Sequence, residues 1–499
     1  MLEKIIESFD RHAAENAFCI SNNFFTYSDL NKNCGSIQGL INKLQLPDNS
    51  NIGIVTYDDI QTYSSVFSIV FSGHAFVPIN PANPSERNKA IIEQAGIKYI
   101  LSSSSSESLM EIINSGITLI NTTEKITDSI FKPEALDKNK LAYLLFTSGS
   151  TGVPKGVPIT VGNLDAFLDA FFSLGYKINN TDRFLQMFDM TFDLSLMSYM
   201  APLCIGACVY TVPFDAIKYT YIYSLFEDHK ITFALMVPSI LTHLRPYFDE
   251  IKLDAMRYSL FCGEALYEDI ILEWSECIPN ALIENVYGPT EATIFCMTID
   301  VKREGGNKSF NGIIAIGKPM ENTNSINVNE NNIPLGAGDK GELCLSGKQI
   351  TPGYWKNELK NSEAFFILKE NGETVRYYRT GDLCYFDNDG DFFYCGRVDH
   401  QVKIQGFRVE LNEIEHYARE FLQQHNVVAV PFTNSIGNTL IHLFIENYSG
   451  SFHPLTDYLK TKIPSYMIPN KFTSIATFPM NANYKIDRKA LAETLKIKN

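Results

Sequence analysis

Short runs rich in β-branched and aromatic residues recur between stretches of helical periodicity, and this alternation restricts the fold more than any other feature of the chain. NIGIVT (51–56), KYILSS (98–103), ACVYTVP (207–213) and ITFALMVPS (231–239) are each long enough for one buried strand. Strands separated by helices predict an α/β fold of layered subdomains with mainly parallel sheets, because each parallel return needs a crossover. At 499 residues the chain exceeds one ordinary domain. The pattern shortens after Arg397, which predicts a large N-terminal domain over 1–398 and a small α+β C-terminal domain over 399–499. SSSSSES (102–108) and the Asn-rich stretch 321–332 read as surface loops.

Charge and cysteine usage exclude several function classes. A formal charge of −15 gives no electrostatic reason to bind nucleic acid or an anionic membrane. From Lys460 onward the balance reverses, with eight Lys/Arg against Asp487 and Glu493. No apolar run approaches the roughly 20 residues of a membrane span. MLEKIIESFDRHA at the start carries charges through its apolar positions, so it reads as an amphipathic helix and not as a signal peptide. Ten scattered cysteines without a CxxC pair suggest neither a disulfide framework nor a zinc site, and fit buried thiols in a reducing cytoplasm.

The segment with the most chemistry is LLFTSGSTGVPKG (144–156). An apolar strand runs into a loop of Ser, Thr and Gly that ends at Lys155. Glycines let backbone N–H groups close around an anion, hydroxyls add donors, and the lysine adds charge. This is a phosphate cradle, distinct from the GxxxxGK[ST] loop. The stretch MTFDLSLM (190–197) is the second signal. It places Asp193 among apolar residues, where an unpaired carboxylate costs several kcal/mol by order of magnitude and so calls for a partner.

TSGSTGVPKG resembles the phosphate loop of the adenylate-forming superfamily, which includes acyl-CoA synthetases, adenylation domains of non-ribosomal peptide synthetases and luciferases. NVYGPTEAT (285–293), YRTGDL (378–383), GRVDHQVKIQGFRVELNEIE (396–415) and NANYKIDRKAL (481–491) resemble the later motifs, in the same order. The likeness implies ATP and Mg²⁺ as cofactors. Thr147, Ser148, Gly149, Ser150, Thr151, Gly152 and Lys155 would hold the triphosphate. Asn285, Tyr287 and Gly288 would lie at adenine, Thr290 at the α-phosphate and Glu291 at Mg²⁺. Asp382 would take the ribose hydroxyls with Arg397 nearby, since a carboxylate can accept two bonds from a diol. Asp399 would be the hinge of a mobile lid, Gly406 would line the thiol tunnel, and Lys485 would reach the reacting carboxylate and α-phosphate. Tyr484 stands where the superfamily usually has glycine, so the loop carrying Lys485 departs from the family pattern.

Asp193 matches the aspartate that pairs with the substrate α-ammonium in amino-acid adenylation domains. Leu194, Met197, Met236, Leu260, Cys262, Val286, Ile294 and Phe295 match the rest of that pocket. They carry no charge, and Phe295 is expected to shorten the cavity, which favours a small aliphatic amino acid. FDLSLM with LFCGEAL (260–266) resembles the branch of D-alanine–carrier-protein ligases. The expectation is therefore a cytoplasmic ligase. It activates a small amino acid, D-alanine favoured, as an aminoacyl-AMP and passes it to the phosphopantetheine of a carrier protein acting in trans. The alternatives are a stand-alone peptide-synthetase-type enzyme for another small amino acid, or an acyl- or aryl-CoA ligase, which Asp193 argues against.

Overall fold

The computed structural model describes residues 1–104, 116–124, 130–149, 152–213, 216–370, 372–399, 401–423, 425–480 and 486–496. The four strands expected from composition are present as Asn51–Val55, Tyr99–Ser102, Cys208–Thr211 and Phe233–Met236. The opening amphipathic stretch is the helix Lys4–Arg11, with Ile5, Ser8 and Phe9 turned inward. Among the described residues no helix is long and apolar enough to cross a membrane.

Two large sheets carry the N-terminal part. One has nine strands, with Asn16–Ile20, Cys208–Thr211, Arg183–Gln186, Phe233–Met236, Tyr258–Phe261 and Leu282–Tyr287 running parallel at its centre. The other has six strands, parallel except at Leu141–Thr147 and Lys155–Thr160. Parallel strands need apolar cover on both faces. Helices such as Ile60–Val70, Val161–Ser173 and Leu194–Leu203, buried nearly throughout, supply it.

A third sheet is antiparallel in every pairing, which departs from the mainly parallel expectation. It holds Thr323–Val328, Gly341–Gly347, Phe365–Glu370, Glu373–Phe386 and Phe392–Arg397. Its first strand lies inside the Asn-rich stretch expected to be a loop. Asn327 explains the error. Its side chain is buried and donates to the Cys384 carbonyl at 2.8 Å, so a residue that usually marks a turn satisfies a sheet interior here.

The C-terminal part has its own core, built on Val409, Ile414, Leu443, Leu455 and Met467. The strands Val427–Thr433, Thr439–Glu446 and Lys471–Ile475 form its sheet. The hairpin Gln401–Ile404/Phe407–Glu410 projects towards the large sheets and leads into the helix Leu411–Leu422. Nine of the ten cysteines are buried, Cys395 is half-buried, and all are free thiols.

Candidate active site

The cradle is the loop of a β-hairpin. Thr147 ends one strand and Lys155 begins the next, paired across the ladder, so the connection runs from 148 to 154. Gly149 is fixed by space, since a Cβ there would lie 1.9 Å from the Val153 carbonyl oxygen. Gly152 has φ +82° and faces His416 of the small domain. The Thr147 hydroxyl is buried and has no hydrogen-bond partner among the described residues. Ser150, Thr151 and Lys485, like Tyr484, lie outside the described residues.

The strand Leu282–Tyr287 brings in the second group. Asn285 is tied by its amide to the Ala315 carbonyl at 2.9 Å. Tyr287 donates to Asp382, and Arg397 donates to the other oxygen of that carboxylate at 2.5 Å. Arg397 also grips Asp399 at 2.6 and 2.7 Å. It therefore links the last strand of the large domain to the expected hinge. A cleft of about 380 Å³ opens beside Asn285, Tyr287 and Arg397, with Lys403 of the hairpin on its far wall.

Beyond Tyr287 the chain turns back sharply. A Cβ on Gly288 would lie 2.4 Å from the Phe295 Cα. Thr293 and Ile294 both adopt positive φ, +56° and +73°. For a β-branched residue this backbone is strained, by about 1–3 kcal/mol. Gln349, fully buried on the neighbouring segment, donates to the Ala292, Thr293 and Phe295 carbonyls.

Glu291 sits on the short turn Thr290–Ala292 and is fully buried. Burial pushes its carboxyl up, but Arg408, Lys155 and the Tyr354 hydroxyl outweigh that and hold it below the usual range. Tyr354 donates at 2.6 Å, and Arg408 at 3.0 and 3.1 Å.

Asp193 lines a cavity of about 40 Å³ with Leu194, Cys262, Ile294 and Thr290. Its Oδ2 is buried and has no hydrogen-bond partner among the described residues. Burial pushes the carboxyl up to about 7, only partly offset by the Thr290 hydroxyl and the Ile294 and Leu194 N–H groups. Met197, Met236, Leu260, Val286 and Phe295 are wholly buried but do not line this cavity. Phe295, expected to shorten it, instead packs edge-on against Phe167 at 5.0 Å. Ile294 occupies the wall.

The hairpin of the small domain closes over these residues. Gly406, at φ +83°, lies where a Cβ would meet Val237 Cγ1 at 2.6 Å. Its N–H donates to the Glu264 carboxylate at 3.0 Å. Several participants were not anticipated. Arg408 lay within a quoted motif, but its partner Glu291 is 117 positions away. Arg87, Gln349 and Tyr354 carried no local signal.

A Ser/Thr/Gly loop, a fully buried carboxylate and a second carboxylate on a small cavity are gathered between the sheets and the hairpin, an arrangement that fits an adenylate-forming ligase. The chain belongs to the AMP-binding enzyme family, whose model matches residues 6–355. It is 29% identical to a D-alanine–D-alanyl carrier protein ligase of Bacillus licheniformis over 99% of this chain and 100% of that protein. It is 30% identical to tyrocidine synthase 1 of Brevibacillus parabrevis over 96% of this chain and 43% of that protein. The chain spans 9%, 43% and 8% of the first three curated relatives it matches, which are synthases of linear gramicidin, tyrocidine and bacitracin. The Vibrio cholerae adenylation domain AlmE, solved with glycyl-adenosine-5'-phosphate, superposes with a TM-score of 0.86 at 25% identity. That alignment covers 99% of this chain and 97% of AlmE.

Enzymes of this family use ATP and Mg²⁺, and the residues present fit both. Among the described residues the buried Thr147 hydroxyl has no partner, as a donor kept for a phosphate oxygen would. Glu291 is a fully buried carboxylate, an oxygen donor of the kind Mg²⁺ selects, and in this structure Arg408 supplies its countercharge.

Proposed function

We propose that the chain activates a small amino acid as its aminoacyl-AMP and transfers it to the phosphopantetheine thiol of a carrier protein, with D-alanine the favoured substrate. The observation that carries this reading is the buried Asp193 Oδ2, without a hydrogen-bond partner among the described residues, at the wall of a small cavity that Leu194, Cys262 and Ile294 line together with Asp382, Arg397, Lys403 and Arg408. A substrate ammonium supplies the missing partner, whereas a fatty or aryl acid would leave the carboxylate stranded. The small cavity bounded by Ile294 and Cys262 supports a short side chain. The match along the whole length of a D-alanine–D-alanyl carrier protein ligase, at 29% identity, is what supports D-alanine as the substrate to test first.

In this reading Asp193 anchors the ammonium and so directs the substrate carboxylate towards Thr290. A carboxylate oxygen attacks the α-phosphorus of ATP, and the bond to pyrophosphate breaks. Thr147, Ser148, Ser150, Thr151 and Lys155 hold the departing phosphates, Asp382 holds the ribose, and Lys485 steadies the charge on the pentacovalent phosphorus. Mg²⁺, held at Glu291, supplies Lewis-acid stabilisation of the phosphate oxygens. The small domain then turns about Asp399, and the hairpin carrying Gly406 admits the thiol. Attack at the acyl carbonyl forms the thioester and expels AMP.

Adenylation of another small amino acid is the second reading, favoured by the 30% identity to the tyrocidine and bacitracin synthases. Exchange of labelled pyrophosphate into ATP, screened over both enantiomers of alanine, serine and valine and over glycine, tests the proposal. D-Alanine should give the highest kcat/KM. Exchange driven by acids lacking an α-ammonium, and not by amino acids, would refute it.

A further inference from the structure

Three ion pairs across the domain interface follow an order that the two-step reading leaves unexplained. The large domain offers Glu291 as an anion and Lys155 and Arg87 as cations. The small domain answers with the opposite sign at each. Arg408 stands 3.0 Å from Glu291, Glu410 3.2 Å from Lys155 and Glu413 2.7 Å from Arg87. The cradle amides are engaged as well, since the Gly149 N–H donates to Glu413 at 3.1 Å. Ser148 donates its hydroxyl to the Arg408 carbonyl at 2.7 Å and accepts the Glu410 N–H at 3.2 Å. One cation and two carboxylates, all within residues 408–413, therefore face one carboxylate, two cations and an anion loop. A divalent cation bridging two linked phosphate groups presents the same pattern of charge.

We propose that Arg408, Glu410 and Glu413 form a built-in counterpart of magnesium pyrophosphate. They take its place on the large domain and thereby position the small domain, with Gly406 at the substrate cavity, once the leaving group has gone. The proposal rests on the adenylate-forming reading above. In the docked arrangement Glu291, Lys155, Arg87 and Glu413 are all withdrawn from water, and each has its opposite charge only from the other domain or from the cradle beside it. The two sets of charges cannot share one site. Docking and magnesium pyrophosphate are therefore coupled, each weakening the other by the same factor. Arg408, Glu410 and Glu413 are positioning residues for the thiol step.

Energy transfer between dyes attached at Leu359 of the large domain and Ile436 of the small one, both exposed, reports docking in the full chain. The probe is inorganic pyrophosphate with Mg²⁺, and inorganic phosphate with Mg²⁺ is the control. Magnesium pyrophosphate should undock the small domain, and phosphate should not at the same concentrations. The midpoint should fall about 10-fold or more in the Glu410→Gln/Glu413→Gln double variant, because its internal competitor is weakened. Glu413→Asp, a milder change, should shift the midpoint in the same direction and serves if the double variant does not fold. An unresponsive reporter, or equal midpoints in wild type and variants, overturns the proposal. Amino-acid-dependent pyrophosphate exchange by the same preparation separates the two ideas. If exchange is present and the midpoints are equal, only the counterpart fails. If exchange is absent, the adenylation reading itself fails.

Discussion

Gln349 donates to the Phe295 carbonyl at 3.0 Å across 54 positions of sequence, and in doing so clamps a turn that is strained within itself. The same amide reaches the Ala292 and Thr293 carbonyls, and the Thr293 hydroxyl returns a bond of 2.5 Å to the Gln349 carbonyl. Gln349→Leu removes these side-chain bonds while keeping the volume. Unpairing buried carbonyls costs roughly 1–3 kcal/mol, so urea denaturation should show a loss of that size. A purely structural role would stop there. A positioning role predicts that the KM for the amino acid also rises, on the order of 10-fold, with the KM for ATP nearly unchanged, because Ile294 loses its fixed place on the cavity wall. Equal changes in both constants would leave the clamp without a part in substrate selection.

Asp193 makes the enzyme sensitive to pH in two opposed ways. Its carboxyl, raised to about 7 in the folded chain, returns to about 4 on unfolding. The native state thus holds the proton more tightly. Its stability falls as pH rises from about 4 through about 7. Asp193→Asn should abolish that loss. The variant should melt higher than wild type at pH 8, by up to about 4 kcal/mol, and equally at pH 4. Activity runs the other way. Only the ionised carboxylate pairs with an ammonium, so log kcat/KM for the amino acid should rise with pH to a plateau above about 7. In the variant it should be flat and lower by about 100-fold or more. A wild-type profile that is level between pH 6 and 8 would remove Asp193 from the substrate.

Gly406→Ala tests the docked hairpin. The added methyl meets Val237 only when the domains are together, whereas its strain at φ +83°, about 1–2 kcal/mol, is present in either arrangement. Thioester formation from supplied aminoacyl-AMP should fall steeply, and pyrophosphate exchange should fall little. Glu264→Gln should cause a smaller loss in the same half-reaction, since an amide oxygen can still accept the Gly406 N–H. Parallel loss of both half-reactions in Gly406→Ala would place the hairpin in the first step as well.

Lys485 and Asp399 should separate the half-reactions from the other direction. Lys485→Ala is expected to abolish exchange, a loss of about 3 kcal/mol or more for one charged donor to the transition state, and to retain transfer. Asp399→Pro fixes φ at the hinge and breaks its pairing with Arg397, so adenylate should form without thioester. Stopped reactions with a labelled amino acid would resolve the two products. Thioester from ATP in Asp399→Pro would show that the small domain turns about another residue.

The parallel sheets were legible because their strands are continuous apolar runs with turn residues at each end. The loop between Thr147 and Lys155 was legible as a loop for a similar reason, since its glycines, serines and threonines fall within one short stretch after an apolar strand. The antiparallel sheet was hidden by Asn327, whose buried amide imitates a loop composition. Arg87, Tyr354 and Gln349 were hidden because their roles depend on neighbours distant in sequence and on no local spacing. Phe295 misled for a subtler reason. A position match gives no side-chain direction, and on this turn Ile294 reaches the cavity while Phe295 packs against Phe167.

That turn also bears on how such a pocket can change its substrate over evolutionary time. The side chain at position 294 is displayed on a backbone that isoleucine tolerates poorly and that glycine or asparagine accepts readily. Replacing it with a smaller residue would enlarge the pocket and relax the backbone at once, so the mutational slope leads towards bulkier substrates and greater thermal robustness together. In the proposed reading, a narrow pocket at this wall is held against the preference of its own backbone.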